Sequence, residues 1–364
     1  MTNGLNYGLA AEWRDGDNYR DHNALERWQA NGQLGYGWTS GEARIELLHA
    51  EEDLETPGAL LESEVDDDRR QAAADFQNDF SDTGTDVVRL LLRQSLGQNW
   101  SLETDASQRE ADGRFRLSFR GAPSTDVSTQ DRRVKELNPR VAGRWNWLGR
   151  EWSLTAGADL LEADYQLSSP LGIQSNDQQE RSLYVQGVMP LAATLDFSAA
   201  ARWARVRNEL SGTSASGFSD PPEQTIRDSV SAQAAGLAWR PLERWEFTLR
   251  YDESLRFAKV DEFFGSMPFA AGTGTITLGP VQTGPSYEAG ASWNGETLHA
   301  SVLLYRTDLD DEIVFDPTAG LNVNLKRTRR DGALLDLRWQ LLSSLALAAA
   351  YTHLDAGVRS GALE

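Results

Sequence analysis

The chain has 364 residues, with 55 acidic and 35 basic side chains and a formal net charge of −20. That balance excludes a nucleic-acid partner, because phosphate binding needs a basic surface. There is no cysteine, which excludes disulfide frameworks, thiolate zinc sites and cysteine nucleophiles, and no run of about 18 apolar residues, which excludes a transmembrane helix.

The opening residues, MTNGLNYGLA, lack a basic segment followed by an apolar core, so they are not expected to be a secretory signal. A first strand is predicted near Leu5 to Arg14, then a polar stretch near 15 to 26. Alternation from Trp28 to Trp38 predicts a second strand. The pattern is cleaner further on. In Leu195 to Trp203, Leu195, Phe197, Ala199, Ala201 and Trp203 oppose Asp196, Ser198, Ala200 and Arg202. In Trp245 to Tyr251, Trp245, Phe247, Leu249 and Tyr251 alternate with Glu246, Thr248 and Arg250. Continuing to a last strand near Leu345 to Leu354 gives about fifteen strands and no comparable helical period, an all-β chain.

The connections alternate in length. Short turns are predicted near 39 to 42, 96 to 99, 148 to 151, 190 to 193, 240 to 243, 294 to 297 and 340 to 344. Longer polar segments lie near 51 to 86, 108 to 136, 168 to 179, 208 to 228, 256 to 285 and 309 to 321. In an up-and-down meander, strict alternation puts all short turns at one end, the asymmetry of an antiparallel transmembrane β-barrel in the bacterial outer membrane. Eight tryptophans, Trp38, Trp100, Trp147, Trp152, Trp239, Trp245, Trp293 and Trp339, stand beside short turns. They are expected to form a membrane-interface belt, where the ring meets acyl chains and the indole N–H meets water or headgroups. A soluble sandwich would place such rings mid-strand on its inner faces. Trp28 and Trp38 share one strand face, and ten residues at about 3.3 Å, tilted by about 40°, give roughly 25 Å of height, the height of a lipid-facing band.

Several stretches of the C-terminal third, read in order, resemble the TonB-dependent outer-membrane receptors: SLRFAKVDEFF (254–264), LGPVQTGPSYEAGASW (278–293), LYRTDLDDEIVFDP (304–317), LNVNLKRTRRDGALLDLRW (321–339) and LALAAAYTHLDA (345–356). The N-terminal WRDGDNYRDHNALERWQANGQLGY (13–36) resembles an earlier hairpin of the same family, closest to its ferric-siderophore branches. Two departures stand out: Gly279-Pro280-Val281-Gln282 replaces a usual Pro-Glu, and Leu334 or Leu335 replaces a usual glutamate. The resemblance implies a plugged barrel of about 22 strands, of which about 15 are present. Residues 1–364 are therefore expected to be a partial barrel domain, without the plug, the TonB box or the terminal strands.

No catalytic constellation is found. AGTGTITLGP (271–280) lacks the Gly-Lys-Ser/Thr of a phosphate loop, and neither HExxH nor GxSxG occurs. Tyr351, Thr352 and His353 read as a strand end rather than a metal or haem site. Segment 51–86, with thirteen acids against Arg69 and Arg70, reads as a solvated loop. The stretch with binding chemistry is RFAKVDEFF, where Arg256, Lys259, Glu262, Phe263 and Phe264 combine charges and aromatics just beyond an outward-running strand. Its plainer reading is structural, Arg256 and Glu262 tying a loop to the wall.

The expected function is that of an energised outer-membrane importer for a scarce ligand such as a ferric siderophore. The alternatives are a passive porin, which the ordered motifs disfavour, and a barrel enzyme, for which nucleophile and base are missing. No metal and no cofactor is implied. Expected partners are outer-membrane lipid and lipopolysaccharide, with TonB reached only through the plug and its box.

Overall fold

A computed structural model describes residues 4–214, 220, 222–263, 278–316, 318 and 320–360. Among the described residues, fifteen strands follow one another in a single antiparallel sheet whose spatial order is the chain order. They are β1 (Gly4–Gly16), β2 (Leu25–Trp38), β3 (Gly41–Glu55), β4 (Phe80–Ser95), β5 (Trp100–Arg116), β6 (Ser128–Trp147), β7 (Arg150–Ser169) and β8 (Gly172–Ala192). The sheet continues with β9 (Leu195–Ser214), β10 (Gln224–Leu242), β11 (Trp245–Phe257), β12 (Val281–Asn294), β13 (Leu298–Asp316), β14 (Leu321–Leu342) and β15 (Leu345–Ser360). β1 and β15 are each paired on one side only, so the sheet is open. Helical structure among the described residues is confined to α1 (Glu62–Asp68) and a single 3₁₀ turn, Ala74–Phe76. No helix among them is long and apolar enough to cross a membrane, a statement that leaves strands untouched.

All seven short turns lie where the chain reverses at one end, each beside an expected position. The long-loop end differs from expectation in extent. Segment 168–179 is not a loop: β7 and β8 meet in a two-residue turn at 170–171, with Ser169 opposite Gly172 and Tyr165 opposite Asn176. In the same way β5 runs on to Arg116, and β6 starts at Ser128. Apart from the inner face of β7, with Ala163, Tyr165 and Leu167, these strand ends are largely polar on both faces. Outside a lipid layer the backbone ladder continues while neither face needs to be apolar, so alternation disappears from the sequence although the strand does not.

Register determines the faces, because residues directly opposite in an antiparallel pair project to the same side. Following the pairing from β1 to β14 places all twelve tryptophans on one face. The opposite face carries ion pairs such as Arg140–Glu103 (2.7 Å), Arg202–Asp159 (2.8 Å) and Arg240–Glu246 (2.6 Å). Glu246, Thr248, Arg250 and Asp252 are on this polar face, and Trp245, Phe247, Leu249 and Tyr251 on the apolar one. Buried side chains gather at the long-loop end of the polar face, against the segment that follows β11. One cluster joins Leu210, Ala258, Phe263, Leu278 and Ile313, with Ile226 packed beside it; a second joins Ala163, Tyr165 and Val260. That face is therefore the inner one.

Candidate functional site

The inner wall at the long-loop end is shaped by residues 258–263, which leave β11 and fold onto the upper strands. The wall presents amides to receive them. Asn176 of β8 and Asn208 of β9 are fully buried, and Gln178 nearly so. The Gln178 side-chain N–H donates to the Ala258 carbonyl (2.7 Å), that of Asn176 to the Val260 carbonyl (3.1 Å), and both share the Asn208 side-chain oxygen as acceptor (3.0 and 3.2 Å). Backbone carbonyls that would be buried without partners are satisfied by this amide row, which fixes the height of the segment on the wall. Two further ties hold its flanks: Arg132 pairs with Asp261 (3.0 Å), and the Asn322 side chain donates to the Glu262 carbonyl (2.9 Å).

The structure describes four of the five sequence-selected residues, in different surroundings. Arg256 is ion-paired with Glu262, whose carboxylate also accepts the Lys259 backbone N–H (2.8 Å). Phe263 is buried in the larger cluster. Lys259 is exposed. Phe264 lies outside the described residues. The amide row of Asn176, Gln178 and Asn208, together with Val260 and Asp261, carries no local sequence signal, since the partners are about eighty residues apart: 84 for Asn176 and Val260.

Glu312, eight residues beyond Leu304 at the top of β13, also faces inward. Asp311 has a φ of 56°, and this left-handed residue turns Glu312 from the outer to the inner side. There it accepts from Thr328 and from Arg330 (both 2.5 Å).

On the outer face, Trp38 ends β2, Trp100 starts β5, Trp147 ends β6 and Trp245 starts β11; Trp152, Trp239, Trp293 and Trp339 lie within a few residues of short turns at the same end. Neighbouring rings touch: Trp147 and Trp152 at 5.0 Å between centroids, Trp245 and Trp293 at 5.1 Å, Trp239 and Phe247 at 5.7 Å. Trp145, not singled out in the sequence, belongs to the row and stacks on Trp100 at 5.8 Å. Trp13 and Trp28 lie near the other end of their strands and Trp203 partway along β9, all on the same face. Between the two levels, side chains such as Phe197, Ala199 and Ala201 on β9, or Ala300, Val302 and Leu304 on β13, are uncharged.

A wall with an apolar outer face, aromatic ends and a polar inner face defines a membrane β-barrel wall. Residues 6–363 match the family model for the TonB dependent receptor-like β-barrel, and the chain belongs to that family, whose members are outer-membrane receptors of Gram-negative bacteria. Among solved structures it is similar to the ferric citrate transporter FecA in its unliganded form, at 14% identity and a TM-score of 0.82, covering 99% of this chain and 55% of that one. The ferric-catecholate import receptor Fiu from E. coli K12, in its closed form, gives 12% identity and a TM-score of 0.72, over 98% of this chain and 61% of that one. The copper transporter OprC gives 14% identity and a TM-score of 0.76, over 97% and 56%. At such identities the likeness establishes the fold, and this chain spans between about half and three-fifths of each of those proteins. No curated protein matches in sequence.

Proposed function

We propose that the chain is the greater part of the barrel wall of an outer-membrane importer, and that the whole receptor takes up a scarce metal chelate such as a ferric siderophore, energised through TonB acting on a plug domain. The observation that carries this reading is the family's barrel pattern along residues 6–363, in a wall whose inner face bears an ordered segment at the long-loop end. The names of the fold neighbours, two ferric-chelate importers and a copper transporter, support the ligand class. The eight sequence-selected tryptophans, joined by Trp145, are read as the interface belt at the short-turn end.

Within that reading, Arg256, Glu262 and Phe263 hold the segment in place, and Lys259 offers its charge to an anionic chelate. The ammonium is a long, exposed point charge, suited to attracting a ligand rather than fixing its geometry. The test is growth and uptake of radiolabelled ferric citrate and ferric catecholate by cells carrying the whole receptor as sole importer, with and without the TonB complex. Uptake of one of these that stops when the complex is deleted is the expected result, with Lys259→Ala weakening it several-fold. Uptake that persists without the complex would instead make the protein a passive channel.

A further inference from the structure

Above its apolar band the outer face carries charge, and it does so in two different ways. On β13 and β14 opposite charges stand directly across from each other: Arg306 faces Asp331, Asp308 faces Arg329, and Asp310 faces Arg327. All three are ion pairs, at 2.6, 2.7 and 3.1 Å. That ladder neutralises itself. On β8, β9 and β10 like charges stand across from each other instead. Arg181 faces Arg205, and one layer higher Arg207 faces Arg227. Arg207 is tied to Glu209, and the Arg205 guanidinium lies over the Trp203 ring at 4.9 Å. Among the described residues Arg181, Arg205 and Arg227 form no ion pair with a carboxylate, and all three are exposed.

Like charges directly opposite in an antiparallel pair are destabilising. Among the described residues the nearest carboxylates of that face, Asp177 and Glu209, stand opposite each other one layer above Arg207 and form an ion pair only with Arg207, so Arg181, Arg205 and Arg227 call for an anion from outside the chain. The height of the cluster identifies its source. On β9, Leu195 is opposite Trp239 of the lower aromatic row, and Arg205 stands ten residues further along. At about 3.3 Å per residue and a tilt of about 40°, Arg205 is roughly 25 Å above that row, where the lipid-facing band ends. Directly below the arginines, Leu183 and Trp203 face each other on the outer side. An indole and an aliphatic side chain meet acyl chains there, and the guanidinium forks above them meet what caps those chains. The planar fork of arginine matches phosphate oxygens two at a time.

We propose that Arg181, Arg205, Arg207 and Arg227 form a binding site for the phosphate of a phosphorylated lipid headgroup in the outer leaflet, with Trp203 and Leu183 seating its acyl chains. The inference rests on the membrane reading of the wall and is independent of what the receptor imports. It predicts that the lipid is held at one sector of the circumference, over β8 to β10, and not over the self-neutralised ladder of β13 and β14.

The test uses the whole receptor, extracted from outer membranes in a mild detergent, with its folding checked by heat-modifiable migration. The probe is bis-phosphorylated lipid A in detergent micelles, read by native mass spectrometry and by fluorescence titration. Arg181→Gln combined with Arg205→Gln is expected to weaken binding at least tenfold, whereas Arg327→Gln combined with Asp310→Asn is expected to leave it unchanged. Dephosphorylated lipid A is expected to bind the intact receptor no better than the phosphorylated probe binds the arginine variant. Equal binding of the probe by folded receptor and folded arginine variant would overturn the site. Inorganic phosphate binding as tightly as the lipid would overturn the headgroup assignment. Uptake of ferric citrate and ferric catecholate in the same strains tests the import reading separately: a receptor that imports but shows no arginine-dependent lipid binding fails this inference alone, and one that binds lipid but imports neither supports it.

Discussion

At the residue scale, the aromatic row depends on room beside it. Trp100 lies directly opposite Gly143 on the outer face, and a Cβ at Gly143 would sit 2.5 Å from the indole carbons. The glycine lets the ring lie flat across the neighbouring strand and reach Trp145. Gly143→Ala forces a rigid ring out of its place, so the folded wall is expected to lose about 1 to 3 kcal/mol, the usual cost of overpacking. Urea unfolding in lipid vesicles, followed by tryptophan emission, checks both the loss and the displaced ring. Titration supplies a second expectation, in the loop after β3. Bonds from Arg120, then from the Leu61 backbone N–H, hold the Glu64 carboxyl below its ordinary value of 4.5. The guanidinium reaches the two carboxylate oxygens at 3.0 and 2.9 Å and the Ala59 carbonyl as well, so one ion pair clips the start of α1 to the loop between β5 and β6. Because the folded value is depressed, the contribution is complete above the ordinary carboxylate range and is lost as pH falls through the folded value. Hydrogen exchange at the Leu61 amide is therefore expected to be slow at neutral pH and to lose its protection in acid. Arg120→Gln should lack that protection, relative to the intrinsic exchange rate, at both pH values, and equal protection in both proteins would refute the clip.

At the scale of elements, what the sequence reveals follows from where lipid is. Through the band, a strand is apolar on one side and polar on the other, so WEFTLRY reads directly as a strand and its faces can be assigned from composition. Above the band, the sequence QSNDQQER of β8 is polar throughout, yet Asn176 and Gln178 face the buried interior while Asp177 and Gln179 face outward. Only the backbone ladder distinguishes such a strand from a loop, and it leaves no periodic mark. The site has the same division. Arg256 and Glu262, six residues apart, are recognisable as a local tie; the amides that receive the segment come from two strands far earlier in the chain. Asn208 is the test of that wall. Its side-chain oxygen accepts from both Asn176 and Gln178, so Asn208→Ala leaves two buried donors one acceptor short, at a cost of about 1 to 3 kcal/mol. Residues 258–263 are then expected to open about ten- to hundredfold more often, since each 1.4 kcal/mol is a factor of about ten. Hydrogen exchange of that segment measures the change, with the β9 and β10 backbone as the internal reference. Unchanged protection would show that the two apolar clusters alone hold the segment down.

At the scale of the whole molecule, the sheet's two edges determine what it can do. β1 runs toward the long-loop end, and so does β15, because an odd number of strands separates neither direction nor end. Joining them would require a parallel pair in an otherwise antiparallel wall, whereas bacterial single-chain barrels close with even strand numbers. Both edges therefore need further antiparallel strands before the wall can close. In hydrocarbon each unpaired backbone group costs several kcal/mol, and about five such groups along each spanning edge would exceed the 5 to 15 kcal/mol that keeps an ordinary domain folded. Charge does not rescue the edge: the outward residues of β15 through the band, Leu347, Ala349 and Tyr351, are apolar, so the edge cannot be moved into water without exposing them. Residues 1–364 expressed with an added signal peptide are accordingly expected to reach the membrane fraction as aggregated, protease-sensitive protein. Co-expression of the remaining strands of a family barrel, as a separate piece, is expected to restore heat-modifiable migration. A folded, protease-resistant monomer formed by these residues alone would mean that the wall closes on itself, with a β1–β15 pairing that the present register does not contain.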